Sequence, residues 1–504
     1  MSGKISQDTT VPFKSSIYIP GVDLSLAVGF QNVKLRADTI NGPWITPQQY
    51  GAVANGSDCT AAITTMLSAN QLGMFYFPPG TYGISTQITV GSGQFIVGAG
   101  PGVTVFNVLS ATADIFALSG SGTAWGGMSG FSMTAGVPRT AGRYIYDTAG
   151  FPTVVENFSL NGAFIGIELA TAICYYRNGS IRDTKASTGI VIKVSGGNDH
   201  FINNVVCDNP IAQCAAGLQI VQSGGTFVSS CDFIRCGIGV ALIPQNGNAV
   251  DWCSFTDVYA DTNSAQGWLF ECAGTGAILG AVLENCWSSS NSTDGVFVDK
   301  SSGTIDNISL SNFRCINNGA NGINLVACTH WTQIGGTVAG NSQGVQATQS
   351  GIAVAATCDH VILKGIQLGT IATFGDTHLN QITLGNGIDF VQIEGCNLST
   401  SHTPIGYSTF GNNSIIRNNF GFVNEFHGTG QVNNGTTSNT VPHGLTITPA
   451  VADIVISPLT SMASVGINSA WVSAAGATTF TVSVNTAPSS PYFFSWAART
   501  AGAR

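Results

Sequence analysis

The chain is short of charge. Only 9% of its 504 residues are Asp, Glu, Lys or Arg, against about 25% in an ordinary domain. Asn, Ser, Thr and Gln supply most of the polarity, so the surface is solvated by neutral groups or covered by partner subunits. The 17 basic and 26 acidic residues leave a net charge of −9 and no basic stripe, which argues against nucleic acid as a partner. An acidic polymer would need a local basic patch. No apolar run reaches membrane-spanning length, so membrane insertion is not expected. "MSGKISQDTTVPFKSS" lacks the apolar centre of a signal peptide, so the expectation is synthesis in a cytosol and export, if any, by another route. HExxH, a phosphate-binding Gly loop and paired CxxC are missing, so no metal or cofactor is expected from a motif. The 13 Cys are odd in number and irregularly spaced. They read first as small buried hydrophobes, with disulfides or reactive thiols as the alternative.

Helical periodicity is nearly absent, and a different period takes its place. Between residues 160 and 390 a Gly–apolar–any–apolar unit recurs: "GIEL" at Gly166, "GIVI" at Gly189, "GLQI" at Gly217, "GVAL" at Gly239 and "GWLF" at Gly267. It continues at Gly295, Gly322 and Gly351, with a looser "GIDF" at Gly387; the spacings are 23, 28, 22, 28, 28, 27, 29 and 36. Short alternating strands fill the intervals, separated by Asn, Gly or Ser. One such unit cannot bury its own apolar face, but stacked units can. The pattern predicts an all-β solenoid, a right-handed parallel β-helix with about three short strands per rung.

One helix pattern does occur, in "SDCTAAITTMLSANQLG". Ser57 or Asp58 is the expected N-cap, Gly73 the stop, and Ala62, Ile63, Met66 and Leu67 the apolar side. An open solenoid end exposes unpaired strand edges, so this helix is expected to cap the N-terminal end. "YGAVANGSDCTAAI…FYFPPGTY" resembles the N-terminal segment of the pectate-lyase-like β-helix superfamily, although Asn55 and Cys59 stand where that family usually has Asp. With the flanking segments, the chain looks most like a bacteriophage tailspike. The resemblance implies a virion protein that is a homotrimer, binds a bacterial surface polysaccharide and contacts phage baseplate or tail proteins through its N-terminus.

On this reading residues 1–45 are a virion-attachment segment and 46–425 the β-helix. Residues 426–504, without charge from Glu425 to Asp453 and from Asp453 to Arg499, are a small β-sandwich for trimerisation or receptor binding. An uncharged, aromatic-tipped segment of this kind suits an interface.

Aligning the rungs on the Gly unit brings Asp183, Asp208, Asp232, Asp257 and Glu284 into one column, at spacings of 25, 24, 25 and 27. Stacked carboxylates repel, so one of a pair is held protonated, which is what glycoside hydrolysis uses. Asp208, Asp232, Asp257, Asp261 and Glu284 are therefore the catalytic candidates, ahead of Asp183, Asp251 and Glu271. Equally, acids on a solenoid can be merely solvated or can cap turns, and clustered Asp could hold calcium. Tyr259 and Trp287 are candidate sugar platforms; Trp268, at a repeat position otherwise filled by Ile, Leu or Val, reads as core. His200 is a possible general base, or a surface hydrogen-bonder. Arg235 could neutralise a uronate or pair with Asp232. The functional readings are an endoglycosidase tailspike, a tailspike lyase, and a non-catalytic receptor-binding tail protein; a secreted pectinase is disfavoured.

Overall fold

The computed structural model describes residues 44–345, 347–368, 377–400, 402–409, 411 and 413–500. The expected attachment segment lies outside the described residues, apart from Trp44–Ile45, which pairs in parallel with Met74–Phe75. Among the described residues, 34 strands from Trp44–Ile45 to Ile415–Arg417 join in parallel into one sheet that winds into a parallel β-helix.

The glycine repeat has a steric cause. A Cβ added to Gly217, Gly239, Gly267, Gly295 or Gly322 would lie 2.5–2.8 Å from the carbonyl oxygen one rung on. Only glycine lets the rungs approach this closely at the start of that strand. The pairing Ile167↔Ile192↔Leu218 puts Val191, not Gly189, in the Gly column. Ile352↔Ile382 likewise puts Gln381 there, not Gly387. These two members of the repeat are corrected.

Two of the corners are set by side chains. At the first, Asn157, Asn178, Asn204, Asn285 and Asn312 adopt left-handed backbone, with φ between 50° and 55°, a conformation that Asn tolerates better than most residues. At the second, inside the solenoid, Asn263, Asn291, Asn318 and Asn341 form a buried ladder. Each of the first three donates Nδ2–H to the Oδ1 of the next at 2.8 Å. Each of the last three accepts a backbone N–H from the rung before. This satisfies amide groups that would otherwise be buried unpaired.

Among the described residues the one α-helix, Thr60–Ala69, sinks Ile63, Met66 and Leu67 into the solenoid core. It starts at Cys59 as N-cap, but Asp58 does the capping: its Oδ1 accepts from the Thr60 N–H at 2.9 Å and the Thr60 hydroxyl at 2.6 Å. It ends at Asn70, not Gly73, where Asn70 Nδ2–H donates to the Met66 carbonyl at 2.8 Å. All 13 Cys are buried free thiols, and burial pushes Cys231 up to about 12.

Beyond the solenoid, two antiparallel three-stranded sheets follow. One joins Glu425–Val432, Tyr492–Arg499 and Ile454–Pro458; the other joins Ser438–Pro442, Thr479–Val484 and Ala470–Ala475. Both feed an apolar cluster of their own, around Phe480, Tyr492, Phe494 and Trp496. Among the described residues no helix is long and apolar enough to cross a membrane.

Candidate functional site

The strand Ser254–Asp261 turns at Asp257, which has φ 53°. Alternation then sends Val258 and Ala260 into the core and Tyr259 and Asp261 outward. Neighbouring rungs repeat the arrangement, so outward side chains stack in rows. One row runs Asp232, Tyr259, Trp287, Arg314, each opposite the next. Tyr259 and Trp287 meet edge to face, with ring centroids 5.8 Å apart. Beside it the corner residues Asp257, Asn285 and Asn312 form a second row. The two rows, without Asp232, line a cleft of about 270 Å³.

Asp232 borders this cleft, and its carboxyl is raised above the usual carboxylate range, first by burial and then by the charge of Asp261. Asp261 is held by the Ser289 hydroxyl, which donates to it at 2.7 Å. Asp232 faces Tyr259, two residues short of Asp261 and two beyond Asp257. Strand and residue spacings put its Cα ~8 Å from each of theirs.

The five aligned acids do not form one column. Asp232 sits opposite Val206 and Tyr259, and Asp208 opposite Arg182 and Ile234. Glu284 sits opposite Thr256 and Ser311. The rungs are longer than the spacing of the acids: Val206↔Asp232 spans 26 residues, Asp232↔Tyr259 27 and Tyr259↔Trp287 28. Each successive acid therefore falls one or two places behind its predecessor. The result is a diagonal, which still brings Asp232, Asp257, Asp261 and Glu284 to neighbouring places around the cleft.

Other candidates are elsewhere. Asp208 is 6% exposed and takes a two-pronged contact from Arg235, at 2.8 and 2.7 Å, so Arg235 pairs with Asp208 and not Asp232. His200 is fully buried, with Nε2 2.8 Å from the Thr171 carbonyl oxygen; it is neither a surface residue nor within reach of a sugar. Trp268 is core, as expected. Glu271, opposite Asp299, lies on another strand column, and Asp251, opposite Leu279, precedes the cleft strand. Asn285, Asn312 and Arg314 were not singled out from the sequence. The spacing of Tyr259, Trp287 and Arg314, 28 then 27 residues, was the available signal. Among the described residues no cluster of three or more His, Cys, Asp or Glu could hold a metal ion.

The fold is a parallel β-helix, an architecture shared with solved phage tailspikes. Residues 44–267 match the family model "Rhamnogalacturonase A/epimerase, pectate lyase-like". A mutant tailspike of E. coli bacteriophage HK620, solved with a pentasaccharide, superposes over 92% of this chain and 94% of its own, at TM-score 0.59 and 10% identity. The A-module of the Azotobacter vinelandii mannuronan C-5 epimerase AlgE4 covers 74% of this chain and 100% of its own, at TM-score 0.48 and 14% identity. No curated protein sequence matches the chain.

Proposed function

We propose that the protein is a phage tailspike that binds a bacterial surface polysaccharide and hydrolyses it within the chain. The observation that carries this reading is a raised carboxyl, Asp232, set against a second carboxylate, Asp261, at the edge of an aromatic cleft. A pyranose ring presents an apolar C–H face, which suits Tyr259 and Trp287. Asp232 supplies the proton to the leaving glycosidic oxygen, because its environment favours the neutral acid. Asp261, held by Ser289, or Asp257 in the cleft wall activates water. Asn285 and Asn312 offer amides to sugar hydroxyls.

Arg314 favours a second reading. A guanidinium in the cleft would neutralise a uronate and ease loss of the proton beside it, as a lyase or an epimerase requires. The helix Thr60–Ala69 closes the N-terminal end of the solenoid in this account, and the charge-poor C-terminal sheets join three copies of the chain.

The test is incubation with surface polysaccharides from a panel of bacteria, following reducing ends and the ultraviolet absorbance of an unsaturated product together. Reducing ends alone support hydrolysis. Absorbance rising with them replaces it by elimination. Binding without either leaves a receptor-binding protein and removes the acid–base roles.

A further inference from the structure

A second group of exposed aromatic rings lies on the face that precedes the Asp257 corner. Tyr175, Phe201 and Phe227 stack face to face on successive rungs, with ring centroids 4.7 and 5.0 Å apart. The next place in that row is Ser254, so the stack ends at Phe227. One face of the Phe227 ring lies on Phe201, and the other looks toward the small Ser254 side chain. Phe227 is 37% exposed.

Trp252 reaches the same place from one rung on. It sits at a corner that recurs along the solenoid, opposite Gly225 on the rung before and Gly280 on the rung after, with Asn307 beyond. Its φ is 54°, a left-handed backbone that glycine and asparagine take more readily than a bulky residue. Its indole covers Gly280, where a Cβ would meet Cε3 at 2.7 Å. Trp252 is still 65% exposed, and Gly225 puts no side chain against it from the other side. An indole kept in solvent at a backbone cost points to a role for the ring.

Phe227 and Trp252 border a shallow notch with Gly225 and Ser254 as its floor. Phe227 stands opposite Ser254, two residues past Trp252, so the Cα atoms of the two aromatics are ~8 Å apart. The polar groups at the notch are the Ser254 hydroxyl and the Asp199 carboxylate. Asp199 Oδ1 lies 3.7 Å from where a Gly225 Cβ would be, while its Oδ2 accepts from Asn198 at 3.3 Å. Asp251 adjoins Trp252 in the chain. Arg177, two rungs toward the N-terminus, is held by Glu156 at 2.7 Å. The local charge is therefore acidic and repels an anionic ligand. A neutral sugar suits both features: its C–H faces fit the rings, and its hydroxyls donate to Asp199 and Ser254.

The notch is distinct from the cleft. Trp252 precedes Asp257 by five residues, ~16 Å of strand, and the chain turns again at Asp257 before it reaches Tyr259.

We propose that the notch between Phe227 and Trp252 is a second saccharide site, which holds an uncharged sugar residue of the same polymer on the neighbouring face of the solenoid and takes no part in the chemistry. The inference rests on reading the protein as one that binds a polysaccharide. Two sites on adjoining faces let one stay occupied while the other releases, so the polymer is held between catalytic events.

Trp252→Asn replaces the indole by the residue type found at the Asn307 corner, and Phe227→Ala removes the facing ring. Di- and trisaccharide fragments of the polysaccharide that the wild type binds are titrated by calorimetry into wild type, W252N, F227A and W287A. The wild type is expected to show two sites per chain. W252N and F227A are expected to weaken one of them about tenfold or more with denaturant midpoints close to wild type, and W287A to weaken the other. Two undiminished sites in W252N overturn the notch and leave the cleft standing. A changed sedimentation of W252N with unchanged sugar affinity also overturns it, and makes this corner a contact between copies of the chain. Loss of both sites in a folded W252N overturns their separation. Undiminished binding in W287A beside a loss in W252N overturns the cleft reading and keeps the notch. A wild type that binds no fragment overturns both.

Discussion

Asp261 raises the proton affinity of Asp232 across the strand ladder, adding its charge to the effect of burial. If Asp232 is the acid, its protonated fraction limits the alkaline side of the pH–rate profile. Asp261→Asn removes the repelling charge, lowers the Asp232 pKa and moves that limb to lower pH. Asp232→Asn is expected to cut turnover by about 10²–10⁴-fold with little change in KM. Near-normal turnover in D232N removes Asp232 from the reaction; an unmoved limb in D261N removes only the influence of Asp261, and loss of turnover in D261N makes Asp261 the base.

Trp287 and Tyr259 touch each other edge to face, so neither ring is anchored alone. Trp287→Ala removes the larger platform and frees Tyr259 to rotate. A roughly tenfold rise in Kd for oligosaccharide is expected, equal to about 1.4 kcal/mol. Trp287→Phe should recover part of it. Titration by intrinsic fluorescence checks both variants, and unchanged affinity in W287A would place the sugar elsewhere.

The rung was legible in the sequence because one contact recurs from rung to rung. Gly217, Gly239, Gly267, Gly295 and Gly322 meet the next rung's carbonyl, a close approach that favours glycine at that place. The exceptions, Gly189 and Gly387, were invisible, since nothing within a strand reports that Val191 or Gln381 has taken the column. Counting acids failed for a related reason. Register changes by one or two residues wherever a corner lengthens, and a slip of one flips a side chain to the other face. Tyr259, Trp287 and Asp257 were found by type, whereas Arg314 needed the pairing Trp287↔Arg314. His200 was misplaced because a histidine beside a turn gives no sign that Thr171 and Thr226 enclose it.

The inner ladder predicts a cooperative loss. Asn291 Nδ2–H reaches Asn318 Oδ1 at 2.8 Å and the Ala260 carbonyl at 3.2 Å, while its Oδ1 accepts from Asn263. Asn291→Ala strands partners on both neighbouring rungs, at about 1–3 kcal/mol for each group left buried and unpaired. Asn285→Ala, at the solvent-facing corner, should cost less, although its left-handed backbone disfavours alanine. Denaturant midpoints separate the two. A smaller fall for N291A than for N285A would mean that water replaces the ladder.

Asp147 is fully buried in the solenoid, accepting from the Thr153 hydroxyl at 2.6 Å and the Tyr176 hydroxyl at 2.9 Å. Burial outweighs these bonds and raises its pKa from 3.8 to about 6. The folded state therefore holds a proton that the unfolded chain has already released between those two values. By linkage this group makes the fold more stable as pH falls through about 6 toward 4, and imposes its full penalty above 6. Asp147→Asn keeps an oxygen for Thr153 and Tyr176 without the charge. The difference in denaturant midpoint between variant and wild type is expected to favour D147N at pH 8 and to shrink or reverse at pH 5. A difference that stays constant over that range would mean that the Asp147 proton is not coupled to folding.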